Sequence, residues 1–213
     1  TDMGIKVVLS GEGADEIFGG YLYFRNAPTV EDFQKETIER VQKLFTADLL
    51  RADKSTMAHG LEARVPFLDK AFLDMAVRIK PEEKMPKTYD GKEKYILRKA
   101  FDTPDNPYLP DEVLWRQKEQ FSDGVGYNWI DQLIEYCSSQ VTDEQLAGAE
   151  AEFPYNTPTT KEAYFYRSIF NKYYPQVSAA QTVRKWIPKW QENQDPSGRA
   201  NAAHVQADVE IAK

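Results

Sequence analysis

A short apolar run near the start of the chain opens into a turn that carries two glycines and three carboxylates. Residues 7–9 (Val-Val-Leu) have the pattern of a buried strand, and residues 14–24 have the pattern of a helix. Gly11 and Gly13 allow backbone angles and a close ligand approach that bulkier residues forbid. A strand, a glycine turn and a helix N-terminus together present unpaired N–H groups, which suit an anion such as phosphate.

The three carboxylates of this turn restrict the kind of ligand that it can bind. Glu12, Asp15 and Glu16 are anions, so they would repel a phosphate unless a hard divalent cation lay between them. The pattern therefore favours chemistry on a magnesium-bound nucleotide. The alternative is a simple turn whose acids stabilise the following helix through its dipole, and the short Gly-x-Gly spacing does not exclude it. For Glu16 we expect this second role, that of a charge at the helix start.

Four segments, taken in order, resemble the glutamine-hydrolysing asparagine synthetases. They cover most of residues 5–130, and four matches in the right order are a specific signal. A short segment at 195–200, DPSGRA, also resembles the family. The four segments are VVLSGEGADEIFGGY at 7–21, MAHGLEARVPFLD at 57–69, GKEKYILRKAF at 91–101 and WRQKEQFSDGVG at 115–126.

The resemblance implies a fold class and a place within a longer protein. Full-length members begin with a glutaminase domain, followed by an α/β adenine-nucleotide-hydrolase-like synthetase domain that starts with a Ser-Gly-Gly-x-Asp-Ser pyrophosphate loop. This sequence starts at Thr1 and contains no such loop. We therefore expect a mainly α-helical C-terminal portion of the synthetase domain, with one short N-terminal strand left from its parallel sheet. The glutaminase domain and the pyrophosphate-loop segment are then its expected protein partners.

The resemblance also implies a two-step reaction. In the family, aspartate attacks the α-phosphorus of ATP to form β-aspartyl-AMP, and ammonia, released from glutamine in the intact enzyme, then displaces AMP. ATP and Mg²⁺ are the implied cofactors, and aspartate, ATP and ammonia or glutamine are the implied small-molecule partners. Because this chain would hold about half of that site, we expect the chain alone to be inactive.

The resemblance assigns binding roles within the glycine turn. Ser10, Gly11 and Gly13 match the positions that contact the nucleotide, and Asp15 matches the aspartate that helps to hold magnesium on the pyrophosphate. The second magnesium carboxylate of the family belongs to the pyrophosphate loop. Metal binding by Asp15 alone is therefore expected to be weak.

The same resemblance assigns catalytic roles to Glu12 and Lys118. Glu12 matches a glutamate tied to acyl-adenylate formation and to the ammonia proton, for which a carboxylate is chemically suited. Lys118 matches a lysine that stabilises negative charge, and its alternative role is that of a solvated surface charge. Arg64 is a candidate for the substrate, either binding a phosphate or carboxylate through its fork or holding its turn to a neighbouring helix. His59 is expected to be a packing or turn residue, because there is no histidine cluster for zinc.

The elements that must position these residues are mostly helical. Thr142 with Gln145, and Thr159 with Glu162, have the spacing of capping boxes and predict two helix starts, the second helix ending at Pro175. Apolar spacing predicts further helices at 31–45, 47–58, 72–77, 95–101 and 126–137.

The domain assignment follows from these elements. Residues 1–187 form the predicted synthetase portion, and residues 188–213, rich in Gln, Asn, Asp and Ala, form a polar tail that we expect to be poorly ordered.

Composition excludes several other classes of protein. The chain has 213 residues, 41% hydrophobic and 29% charged, which suits one domain around one core. The net charge of −7 argues against a general nucleic-acid or anionic-membrane binder. We find no apolar run of membrane-spanning length and no signal-peptide pattern. The single cysteine, Cys137, excludes an internal disulfide and is expected to be a packing residue, and the cytoplasm is the expected compartment.

Two other functions remain open at this point. One is a relative that adenylates a different carboxylate, such as a β-lactam synthetase. The other is a non-catalytic helical docking module, which a large exposed apolar patch at residues 7–9 would favour. The sequence also leaves the oligomeric state open, with a homo-oligomer among the options.

Overall fold

Helices carry most of the described chain, and a small parallel sheet lies near its beginning. The computed structural model describes residues 1–119 and 128–191. The strands are β1 (Val7–Leu9) and β2 (Glu62–Arg64). The α-helices are α1 (Ala14–Ile17), α2 (Val30–Lys43), α3 (Asp48–Met57), α4 (Lys70–Arg78), α5 (Tyr95–Ala100), α6 (Asp111–Leu114), α7 (Trp129–Gln140), α8 (Asp143–Ala147), α9 (Ala149–Glu152), α10 (Lys161–Tyr173) and α11 (Val177–Gln181).

The mainly helical fold agrees with the prediction, and the sheet adds one strand to it. β1 and β2 pair in parallel, with Val8 opposite Ala63 and Leu9 opposite Arg64. The strand β2 was not predicted because its residues, Glu-Ala-Arg, include no β-branched or aromatic side chain. In the described residues β1 keeps much of its apolar surface exposed, since Leu9 is 81% and Val7 46% accessible.

The predicted helix at 14–24 is wrong as a single element. α1 ends at Ile17, and a separate 3₁₀ helix runs over Leu22–Asn26. Gly19 between them has φ of 61°, in the left-handed region that commonly ends a helix. A Cβ at Gly19 would lie 2.5 Å from the Phe33 ring, so the chain turns here because glycine can adopt this angle beside that ring.

The described chain divides into two compact units. Among the described residues, one unit contains 1–118 and 185–191, and the other contains 119 and 128–184. The first unit has two apolar clusters, which are Tyr23, Phe24, Ala27, Phe33 and Met85, and Ile17, Phe18 and Ala76. The second unit packs around Val141, Ala149, Phe153 and Tyr164.

The beginning of the predicted tail lies on the core of the first unit. Trp190 packs against Tyr23 and Phe24, with ring centroids 6.0 and 6.4 Å away. Lys189 pairs with Glu36 at 2.5 Å and with Glu39 at 2.6 Å, both on α2. The rest of the predicted tail, residues 192–213, lies outside the described residues, as does the DPSGRA segment.

Helix starts in the second unit follow the capping signals closely. Thr142 and Gln145 form the predicted capping box at the start of α8. The start of α10 lies one residue later than predicted, because Thr160, and not Thr159, accepts a backbone N–H, that of Ala163. Cys137 is a buried free thiol in α7, as expected of a packing residue. No helix of the described residues is long and apolar enough to cross a membrane.

Candidate active site

The glycine turn connects β1 to α1 and lies against the MAHGLEARVPFLD segment. The Ser10 backbone N–H donates to the Arg64 carbonyl at 2.9 Å, which extends the parallel pairing by one residue. The Ser10 hydroxyl accepts the Glu12 backbone N–H at 3.3 Å. Gly13 has φ of 94°, and a Cβ there would lie 2.5 Å from Leu68 Cδ2. Glycine is therefore required at position 13 for both backbone angle and space.

Two lysines converge on the carboxylate of Asp15. Lys94 Nζ lies 2.8 Å from Asp15 Oδ1, and Lys118 Nζ lies 3.6 Å from Asp15 Oδ2. All three side chains are at least three-quarters buried, so these charges interact with less screening than surface pairs do. Gly20 makes room for them, because a Cβ there would lie only 1.9 Å from Asp15 Oδ1. Three of the four segments that the sequence singled out thus meet at Asp15, and the fourth, at 57–69, contacts the glycine turn through Arg64 and Leu68.

Lys94 is a site residue that the sequence analysis did not name. It is the residue before α5, and it has φ of 55°, in the left-handed region that non-glycine residues rarely adopt. Such an angle costs free energy and is often found where function needs it. The available signal was its place in the GKEKYILRKAF segment, which the sequence analysis had singled out only by resemblance.

Glu12 pairs with a residue from α3. Arg51 Nη2 lies 3.0 Å from Glu12 Oε1 and 3.4 Å from Asp48 Oδ1. The Glu12 side chain is largely buried, whereas Arg51 is half exposed, so the guanidinium covers the carboxylate from the solvent side. Nothing in the sequence distinguished Arg51 from the other charged residues of an amphipathic helix.

Glu16 lies in the first turn of α1, as expected, and it is buried, with 1% of its surface accessible. Its carboxylate accepts a hydrogen bond from the Tyr21 hydroxyl, which also lies 3.2 Å from Asp48 Oδ2. Burial raises the pKa of Glu16 to about 7, and the Tyr21 hydrogen bond opposes part of that rise. The prediction of an acidic residue at the helix start is thus confirmed, and the burial of its carboxyl group was not predicted.

The short α1 also changes how an anion could be held here. Peptide dipoles add along a helix, and four residues supply little of that sum. The positive charge near the glycine turn comes instead from the ammonium groups of Lys94 and Lys118.

Arg64 and His59 occupy more exposed positions. Arg64 ends β2, and its side chain pairs at 2.9 Å with Glu62 of the same strand. It is joined to the glycine turn through its backbone carbonyl, which accepts the Ser10 N–H. His59 is exposed in the turn after α3, as expected of a turn residue, and its carbonyl accepts the Thr1 hydroxyl.

A metal ion would find only part of its ligand set here. Among the described residues, no group of three or more His, Cys, Asp and Glu side chains could hold one. Magnesium in nucleotide sites is commonly bound by one or two carboxylates together with phosphates and water. The Asp15 carboxylate fits as one such ligand for an ion that arrives with a nucleotide. The remaining residues of the WRQKEQFSDGVG segment, 120–126, lie outside the described residues.

Comparisons with known proteins match nearly the whole chain to one family. A family model described as asparagine synthase matches residues 1–35 and 26–202. The chain is 57% identical over 208 residues to a probable glutamine-hydrolyzing asparagine synthetase of Dictyostelium discoideum, covering 95% of this chain and 37% of the relative.

Two further relatives give similar figures. Identity is 58% over 208 residues with asparagine synthetase 1 of Saccharomyces cerevisiae, covering 94% of the chain and 36% of the relative. It is 55% over 212 residues with the root enzyme of Pisum sativum, covering 93% and 36%. The chain thus spans little more than a third of the length of the curated relatives it matches. Since the family model matches nearly all of it, the chain belongs to the asparagine synthase family.

Proposed function

We propose that this chain forms part of the synthetase site of an ATP-dependent asparagine synthetase. In that reaction the β-carboxylate of aspartate attacks the α-phosphorus of ATP, which releases pyrophosphate and forms β-aspartyl-AMP. Ammonia then attacks the acyl carbon, which releases AMP and leaves asparagine. The observation that carries the proposal is the convergence of Lys94 and Lys118 on Asp15 beside the glycine turn.

The parallel sheet supports a ligand site at this place. Ligands of open α/β sheets bind outside the carboxyl ends of parallel strands, where Ser10 follows β1 and Val65 follows β2. Gly11 has open space around it, since a Cβ there would meet no atom within 4 Å. The nucleotide accordingly lies against Ser10, Gly11 and Gly13, and the open space at Gly11 lets it approach the backbone closely.

The charged groups have separate roles in the proposed reaction. Lys118 stabilises the negative charge that develops on the phosphoryl oxygens, as preorganised cationic groups do in phosphoryl transfer. Glu12 accepts a proton as ammonia forms the new carbon–nitrogen bond. Arg51 keeps the Glu12 carboxylate in place by its 3.0 Å contact. Arg64, at the end of β2, binds a carboxylate or phosphate of the substrates.

The Asp15 carboxylate is a chemically suitable ligand for a magnesium ion that is also bound by the phosphates. The ion supplies charge neutralisation on the pyrophosphate when it is bound. Asp15 also pairs with Lys94 and Lys118, so the same carboxylate holds both ammonium groups near the glycine turn. Glutamine, named in the relatives, is the proposed source of the ammonia.

One observation favours the second candidate, a docking module. Val7 and Leu9 of β1 are exposed among the described residues, as a strand that pairs or packs with another polypeptide would be. This surface and the synthetase site lie on different parts of the same strand and turn. Whether the full-length protein catalyses the proposed reaction decides between a synthetase site and a non-catalytic docking module.

Isotope transfer tests the proposed adenylation. The full-length protein that contains this sequence is incubated with ATP, Mg²⁺, glutamine and aspartate labelled with heavy oxygen in its β-carboxylate. Because AMP leaves with one oxygen of that carboxylate, the AMP should carry the label. Unlabelled AMP, or asparagine formed together with ADP, would contradict adenylation of aspartate.

Replacement of Lys118 tests the charge-stabilising role. We expect Lys118→Met to lower kcat by about 10²- to 10³-fold, as loss of a transition-state electrostatic group does. KM for ATP should change much less. The matched control is Lys54→Met, because Lys54 is a well-exposed lysine on α3, and it should leave kcat unchanged. Equal loss in both variants would contradict the role.

A further inference from the structure

A buried carboxylate, that of Glu93, contacts the backbone of Lys118 and belongs to the residue that precedes Lys94. The Glu93 side chain is 4% accessible. Glu93 Oε2 accepts from Arg25 Nη2 at 3.0 Å, and Oε1 accepts from Arg98 Nη2 at 3.2 Å. Oε1 also accepts the backbone N–H of Lys118 at 2.5 Å. A buried carboxylate needs such donors, and here one of them belongs to the residue proposed for catalysis.

Glu93 and Arg98 together hold both ends of the segment that leads to Lys118. Arg98 Nη1 donates to the carbonyl of Leu114, the last residue of α6, at 2.6 Å. Four residues later, Lys118 N–H is held by Glu93. Between them the Trp115 ring packs on Tyr95 of α5, with centroids 5.5 Å apart. These contacts with Glu93, Tyr95 and Arg98 therefore fix the position of residues 114–118 relative to α5.

The neighbour of Glu93 in sequence completes the arrangement. Lys94 places its ammonium group on Asp15, while Glu93 places its carboxylate on the backbone of Lys118. The backbone between these two adjacent side chains takes the left-handed angle of Lys94. One dipeptide thus sets the positions of both lysines relative to Asp15.

We infer that Glu93 is a positioning residue that fixes the backbone of Lys118 so that its ammonium group reaches the reacting phosphates. The inference rests on the proposed catalytic role of Lys118. A displacement of about 1 Å at a catalytic group can cost about 10²-fold in rate. The buried Glu93 carboxylate limits such displacement because it accepts the Lys118 N–H.

Non-additivity of two substitutions tests the inference in the full-length protein. We expect Glu93→Ala to lower kcat about 10²-fold with little change in KM for ATP. In a Lys118→Ala background the same substitution should lower kcat by no more than about twofold, because the group that it positions is already absent. Glu93→Gln keeps a carbonyl acceptor for the Lys118 N–H and should restore most of the loss. A similar fall of kcat in both backgrounds would overturn the inference.

A second buried glutamate provides the matched control. Glu36 is as buried as Glu93 and also pairs with an arginine, Arg40, at 2.6 Å, on α2. Glu36→Ala should reduce thermal stability to a similar degree and leave kcat near that of the unmodified protein. If Glu93→Ala does not fold, Glu93→Asp replaces it, because the shorter side chain withdraws the carboxylate and keeps the charge. The same double-substitution comparison then applies.

Chemical labelling separates this inference from the proposed function. The acetylation rate of the Lys118 amine, followed by mass spectrometry, should rise in Glu93→Ala and stay unchanged in Glu36→Ala. If Lys118→Ala left kcat unchanged, the proposed role of Lys118 would fail, and the labelling would still decide whether Glu93 holds it. An unchanged acetylation rate in Glu93→Ala would overturn the inference.

Discussion

Individual carboxylates within one motif have very different environments. In the segment at 12–16, Glu12 meets a half-exposed arginine, Asp15 meets two lysines, and Glu16 is buried against a tyrosine hydroxyl. Charge alone therefore does not assign a role to an acidic residue in a turn. The partner that the fold supplies decides whether the group binds, positions or packs.

The raised pKa of Glu16 makes stability depend on pH. The folded value of about 7 lies above the ordinary value of 4.5, so between these values the native state binds more protons than the unfolded state. Stability therefore falls as pH rises through this window, by on the order of 3 kcal/mol. Glu16→Gln is neutral at every pH and keeps an acceptor for Tyr21. We expect it to raise the free energy of unfolding at pH ~8 by about 1–3 kcal/mol, and to change it little near pH ~5.

Denaturant unfolding of the full-length protein at both pH values measures this effect. Glu150→Gln is the control, since Glu150 is exposed in α9 and should give no pH-dependent difference. An equal change at both pH values for Glu16→Gln would show that the buried carboxyl does not titrate as described.

Short elements and glycines, not long helices, shape the site. The turn after β1 places Asp15 at the start of the four-residue α1, and the chain returns to it at Gly20, whose N–H donates to the Asp15 carbonyl at 2.8 Å. Where a glycine is tightly packed, its replacement by alanine is a useful test, because the nearest contact identifies the side chain that must move.

Gly20→Ala should displace the Asp15 carboxylate. The added Cβ would lie 1.9 Å from Asp15 Oδ1, so the carboxylate must turn away from Lys94 and Lys118. We expect kcat/KM for ATP to fall by at least about tenfold in the full-length protein. Gly148→Ala is the matched control, because its Cβ would meet only ordinary contacts, the nearest at 3.5 Å. Steady-state kinetics of both variants make the comparison, and wild-type kcat/KM in Gly20→Ala would contradict the described packing.

At the scale of the whole molecule, the chain after the second unit returns to the first. Residues 185–191 belong to the unit that contains the site, although more than sixty residues separate them from Lys118. Arg40 of α2 joins them, since its guanidinium lies over the Trp186 ring and donates to the Ile187 carbonyl at 2.5 Å. The stability of the first unit therefore depends on a distant part of the sequence.

Trp190→Ala tests this dependence. Trp190 is partly buried against Tyr23 and Phe24, so its loss should cost about 2 kcal/mol, less than a fully buried tryptophan. Hydrogen exchange should become faster in α2 and stay unchanged in α10, because the two helices lie in different units. Trp129→Ala, at an exposed tryptophan of the second unit, should not affect α2. Faster exchange in both units after Trp190→Ala would contradict their separation.

The sequence by itself determined the family, the helical character and most of the helix positions. Local signals sufficed for these, since capping residues such as Thr142 and apolar spacing act over a few residues. It also identified the glycine turn and Lys118 as candidates that the structure places near each other, through Asp15.

Only the tertiary structure decided which residues meet from distant parts of the chain. The pairing of β2 with β1, the approach of Arg51 to Glu12 and the burial of Glu16 each depend on the path of the backbone between them. Lys94 and Glu93 gained their roles in the same way, from the fold that brings α5 to the site. Such contacts leave no local periodicity or composition in the sequence, because their free energy arises when separate segments pack and exclude water.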